Sequence, residues 1–62
     1  MTDEALAEIE KAAALEKDDP VIHDHLGDIY YKKGMSERAK AEWKKSLELD
    51  PGQETVREKL GK

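Results

Sequence analysis

His23 and His25 stand two residues apart with Asp24 between them, a trio that invites a metal reading. Both imidazoles would have to reach one ion. On a helix, residues two apart point about 200° away from each other, so they cannot. His23 therefore reads as a residue at the edge of the core. Ser36 and Ser46 lack the glycine-rich elbow that presents a nucleophile. A helix cap explains the first and close packing the second. The sequence has no phosphate-binding loop and no dinucleotide fingerprint. It also has no cysteine, so neither a thiol nucleophile nor a cysteine metal site is available. Carboxylates are plentiful, with 15 Asp and Glu, but a short acidic chain offers them no apolar pocket to shift their pKa values. No catalytic residue, no metal and no cofactor are expected, and the protein reads as no enzyme. Tyr30, Tyr31 and Trp43 could stack on bases, yet the net charge of −4 opposes a polyanion. Neither nucleic acid nor a membrane is expected as a partner.

The elements that position these residues are helical. The chain has 62 residues, 42% of them charged and 37% hydrophobic. That balance alone would permit disorder, and periodicity decides against it. Breaks at Asp19-Pro20, at Gly34 and at Asp50-Pro51-Gly52 leave four stretches with apolar residues three and four apart. Thr2 is the expected cap of the first, which carries the stripe Ala5, Ile9, Ala12 and Ala13. Asp19 caps the second, with Pro20 at its first position, where no hydrogen bond is lost. His23, Leu26, Gly27 and Tyr30 share a face there, and Gly34 stops the helix. Ser36 is the expected cap of the third, which holds Ala39, Trp43, Ser46 and Leu47 on one side. The last, about 53 to 60, has only Val56 and Leu60 to bury, and a helix so short must dock to persist. No apolar run reaches the roughly 20 residues of a membrane span. The acidic start is unlike a secretory signal, and the lack of cysteine is compatible with the cytoplasm, the favoured compartment.

Sliding the sequence by 34 residues brings it onto itself. Ala5 meets Ala39, Ala7 meets Ala41, Glu8 meets Glu42, Lys11 meets Lys45 and Leu15 meets Leu49. Leu26-Gly27 meets Leu60-Gly61, Ile9 falls on Trp43 and Ala13 on Leu47. Two helices per 34-residue period resemble the tetratricopeptide repeat. The residues that carry the resemblance are Leu26, Gly27 and Tyr30, the interhelical Gly34, then Ala39, Trp43, Leu47 and the closing Pro51. His23 and Ser36 stand where aromatic residues are usual. The resemblance implies an all-α fold of antiparallel helix pairs, about four helices in all. Residues 1–19 look like the second helix of a truncated unit. Residues 20–53 resemble a complete unit, with helices about 20–33 and 36–49. Residues 54–62 look like a capping helix.

In this family one face of each first helix lines a groove that holds an extended peptide. Val21, Asp24, Asp28 and Tyr31 lie at three-and-four spacing on that face, with His25 and Lys32 beside them. Like charges one turn apart cost a few tenths of a kcal/mol, and Lys32 offsets part of that. The face reads either as a solvated charged surface or as an acidic floor for a basic or extended peptide. Relatives that grip a carboxylate terminus use Lys, Asn and Arg there. Here Asp24, His25 and Asp28 occupy the matching places, and Lys32 is the retained cation, so a carboxylate ligand is disfavoured. The resemblance thus implies a protein-binding scaffold with a protein or peptide partner. The alternatives are a structural or regulatory appendage of a larger protein, such as one with a glycosyltransferase domain, and a self-assembling module. The open flank of the first helix is expected to be covered by a second copy in a homo-oligomer, by a swapped helix or by upstream repeats, since about three units are normally needed to complete a core.

Overall fold

The computed structural model of the protein describes residues 3–61. Met1, Lys62 and the expected cap Thr2 lie outside these residues. Among the described residues the chain forms four helices: α1 Asp3–Leu15, α2 Pro20–Lys32, α3 Ser36–Leu49 and α4 Glu54–Leu60. They pack in sequence order, with α2 and α3 in contact along their length.

Local chemistry sets the boundaries. The Asp19 carboxylate accepts from the backbone N–H of Val21 at 2.9 Å and of Ile22 at 3.4 Å, and Pro20 follows it. That satisfies two of the donors a helix start leaves open. At the other end of α2, the Met35 N–H reaches back to the Tyr30 carbonyl at 2.9 Å and the Gly34 N–H to that of Tyr31 at 3.1 Å. This double closure needs a left-handed residue, which Gly34 supplies with φ 81°. The start of α3 differs from the sequence expectation. Ser36 is already helical, and Met35 holds the cap position with no side-chain hydrogen bond. The tight turn at Gly34 brings the chain into helical geometry one residue early, and Met35 packs against the core instead.

The core gathers Ala13, Leu26, Tyr30, Ala39, Trp43 and Val56, one or more from each helix. Its closest contact is between Gly27 and Trp43. A Cβ at Gly27 would overlap the Trp43 indole at Cδ1 and Nε1. The absence of a side chain there lets α2 and α3 approach until the ring takes the space a Cβ would need. Gly27 is itself buried. The indole Nε1 is itself buried without an acceptor among the described residues, a cost of about 1–3 kcal/mol. The area the ring buries outweighs that cost. Leu47, expected in the core, is half-buried at its margin.

Two buried polar residues tie the helices together. Ser46, fully buried, donates from its hydroxyl to the Pro20 carbonyl at 2.7 Å. It accepts from the Gln53 amide at 2.8 Å, which also reaches the Ser46 carbonyl at 3.0 Å. One hydroxyl thus joins the start of α2, the end of α3 and the approach to α4. His23 is buried as well. Its Nδ1 lies 2.7 Å from the Glu42 carboxylate and its Nε2 2.8 Å from the Lys17 carbonyl. The ring thus bridges α3 and the loop before α2 through both of its nitrogens.

Gly27→Ala is expected to destabilise the protein by about 1–3 kcal/mol through overpacking against Trp43. Trp43→Ala removes the ring and costs about 3–5 kcal/mol. The double variant should be less damaging than the sum of the two, because the alanine methyl then has room. Thermal melts of the four proteins, followed by helical circular dichroism, measure that coupling. Strict additivity would show that the close approach is not what sets the glycine.

Candidate functional site

Val21, Asp24, His25, Asp28, Tyr31 and Lys32 occupy one side of α2, as their spacing requires. The structure then divides them. Asp28 stands between the two flanks, lining the groove on the α1 side and reaching the cation of α4 on the other. His25 and Lys32 stand beside α1, where they line a groove of about 520 Å³ with Ala5, Glu8, Ile9 and Ala12. Asp24 turns instead toward α4. Val21 and Tyr31 are about half exposed, at 54% and 49%. The Tyr31 ring leans on Trp43, with centroids 5.6 Å apart and planes tilted by 41°. Tyr31 is therefore anchored to the core by one edge and open at the other.

The acidic pair holds a cation. The Lys59 ammonium, on α4, lies 2.9 Å from the Asp24 carboxylate and 3.1 Å from that of Asp28. This replaces the role the sequence assigned to Lys32. The two carboxylates, one turn apart, would repel each other if left alone. Lys59 converts that repulsion into a three-centre ion cluster across two helices. Asp24 is the more enclosed acid, with 18% of its side chain exposed against 40% for Asp28. Burial alone would lower the pKa of Lys59. Hydrogen bonds to Asp24 and Asp28, together with their charges, outweigh it and hold the ammonium above its ordinary value.

Sequence reasoning missed Lys59. Its signal was present: the 34-residue register sets Lys59 at the place of His25, on the side of a first helix that faces its predecessor. A second cluster lies on the opposite side of the hairpin. The Tyr30 hydroxyl donates to the Glu10 carboxylate at 2.7 Å, and the Arg38 guanidinium sits 5.8 Å above the Tyr30 ring. Burial, then the hydrogen bond to Glu10, pushes the Tyr30 phenol up. An exposed pair joins Lys33 to Asp3. Among the described residues no three His, Asp or Glu side chains are grouped to hold a metal ion. No described helix is long and apolar enough to cross a membrane.

A hairpin of two helices, extended in the same register by a helix on either side, defines a helical-repeat protein. The tetratricopeptide repeat profile matches residues 20–53, more than half of the chain, and the protein belongs to that family. The matched span runs from the first residue of α2 to the residue before α4. No curated protein and no solved structure matches the chain. As a tetratricopeptide repeat, it is a protein-interaction module in general kind.

The Lys59 cluster should weaken in alkali. A raised pKa in the folded state means the contribution is complete below the ordinary lysine value of 10.5 and is lost as pH climbs through the folded value. Tyr30, also raised, acts in the same direction above its ordinary value of 10.0. Lys59→Met is expected to lower stability at neutral pH by about 1 kcal/mol or less. It should also flatten part of the fall in melting temperature above about pH 10. Parallel pH-dependent melts of both proteins measure the difference, and identical slopes would remove Lys59 as a source of it.

Proposed function

We propose that the outer face of α2 binds a basic, extended segment of a partner protein, with Asp24 and Asp28 receiving a lysine or arginine side chain. The observation that carries this reading is the Lys59 cluster. An ammonium already satisfies both carboxylates at hydrogen-bond distance, which makes the pair a chemically competent cation seat. Half-exposed Val21 and Tyr31 flank it at either end of the face and offer apolar contact to neighbouring ligand residues. An incoming side chain would share the acids with Lys59 or take its place. Asp28, the more open of the two, is the first point of contact. A free carboxylate terminus finds no cluster of cations here. Binding of this kind is weak per residue and sensitive to salt, because the charges involved are partly solvated.

The test is a peptide titration. A short lysine-rich peptide is expected to bind with an affinity that falls as salt rises, and its glutamate-substituted twin should not bind. Asp24→Lys with Asp28→Lys should weaken the lysine peptide by about tenfold or more, equivalent to about 1.4 kcal/mol. Circular dichroism checks that the variant remains helical. Equal affinity of the variant and the parent protein for the lysine peptide would sink the assignment.

A further inference from the structure

The internal register makes α1 comparable, residue by residue, with α3. The side of α3 that α2 covers carries Arg38, Ala39, Glu42, Trp43 and Ser46. Arg38 lies over Tyr30, Glu42 pairs with His23, Trp43 lies on Gly27, and Ser46 holds Pro20. Ala39, Trp43 and Ser46 are buried there. Their counterparts on α1, 34 residues earlier, are Glu4, Ala5, Glu8, Ile9 and Ala12. Ala5, Glu8, Ile9 and Ala12 form one wall of the groove between α1 and α2, and Ala5, Ile9 and Ala12 remain half-open. The other wall repeats the correspondence. His25, which lines it, stands in the register of Lys59, and Lys59 is the α4 residue that receives α2. The groove thus has the shape of a helix seat: α2 fills the equivalent place between α3 and α4.

We infer that this groove docks an amphipathic helix of a partner protein, lying antiparallel to α1. That helix presents an apolar stripe with basic residues on the α1 side and acidic residues on the α2 side. Charge selects this occupant. Along α3 the rim alternates in sign, with Arg38 and Glu42. Along α1 the same two places are Glu4 and Glu8, both exposed carboxylates, so the facing flank of the occupant must be cationic. On the opposite wall Asp28 is engaged by Lys59, which leaves Lys32 and His25 to face the other flank. The floor is apolar, from Ile9, Ala12 and Ile29, and small residues beside Ile9 permit close approach. A second copy of the chain fits less well. Packing α1 against another α1 about a two-fold axis would bring the Glu8 carboxylates of both chains together. The inference does not rest on the peptide reading of the α2 face; the two share only Asp28, which lines the groove and is held by Lys59, while Asp24 turns to α4 and belongs to the peptide reading alone.

The probe is a designed helical peptide with a leucine and alanine stripe, lysine on one flank and glutamate on the other. A second peptide exchanges the two flanks, and a third breaks the first with a central proline. Amide shifts in two-dimensional NMR are expected at Glu8, Ile9, Ala12, Ile29 and Lys32. The matched helix should bind at least about tenfold more tightly than the exchanged one, and the proline peptide should not bind. Glu4→Lys with Glu8→Lys, both on exposed positions, should reverse the preference between the two helices. Three results would each overturn the inference: equal binding of matched and exchanged peptides, shifts centred on Asp24, Tyr31 and Lys59, or a concentration-dependent dimer that buries Ile9 and Ala12. The second result would leave the α2-face reading standing. Comparison of the two peptides on the unaltered protein decides the matter even if the charge-reversal variant fails to fold.

Discussion

The close approach of α2 to α3 across Gly27 is the constraint on which the rest of the structure depends. A hairpin of this size has little apolar material, and Trp43 supplies much of what it buries. The ring can do so because nothing projects from Gly27 to hold it off. With the helices this near, Ser46 reaches the Pro20 carbonyl and Glu42 reaches His23. Neither bond would form across a wider gap. The polar ties are consequences of the packing, and they fix its register in return, since a slip would strand a buried hydroxyl and a buried imidazole. The indole N–H left without an acceptor shows which effect prevails: shape at this contact outweighs one hydrogen bond.

Outside the hairpin the balance shifts from packing to charge. α4 is seven residues long and buries Val56 fully, with Leu60 at the margin. Such a helix does not persist alone. Lys59 gives it a second attachment, and in doing so it settles the electrostatics of α2. At the other end α1 presents Leu15, 79% exposed, beside small residues. The two flanks of the hairpin therefore differ in kind. One is closed by a short helix and an ion cluster, and the other ends in an open apolar groove edged with carboxylates.

Much of this was legible in the sequence because the relevant positions tolerate few residue types. Gly34 must turn left-handed, Asp19-Pro20 must start a helix, and Leu26, Gly27, Tyr30, Ala39 and Trp43 must interlock. Each leaves a mark on residue identity, and the 34-residue spacing makes the marks coincide. The cap of α3 was misplaced by one residue because Ser36 is a good cap in isolation, while the turn closed by Met35 is a property of the whole connection. Lys59 was harder to read, for a different reason: the register gives its place but not its partners. It lies 35 residues from Asp24, on a surface where any long polar side chain would be tolerated. Its role depends on which helices are neighbours, not on its type. The division of the six α2 residues between two flanks was hidden likewise, since spacing gives a face and only packing says what stands on either side of it.

The lone tryptophan has an optical consequence. Trp43 is the chain's single indole, buried against Gly27 with the tilted ring of Tyr31 beside it. Its emission therefore reports the separation of α2 from α3, and Tyr31 is close enough to pass excitation to it. Light absorbed by the exposed edge of the α2 face is read out in the core. An event at the outer face that moves Tyr31 would therefore alter the spectrum.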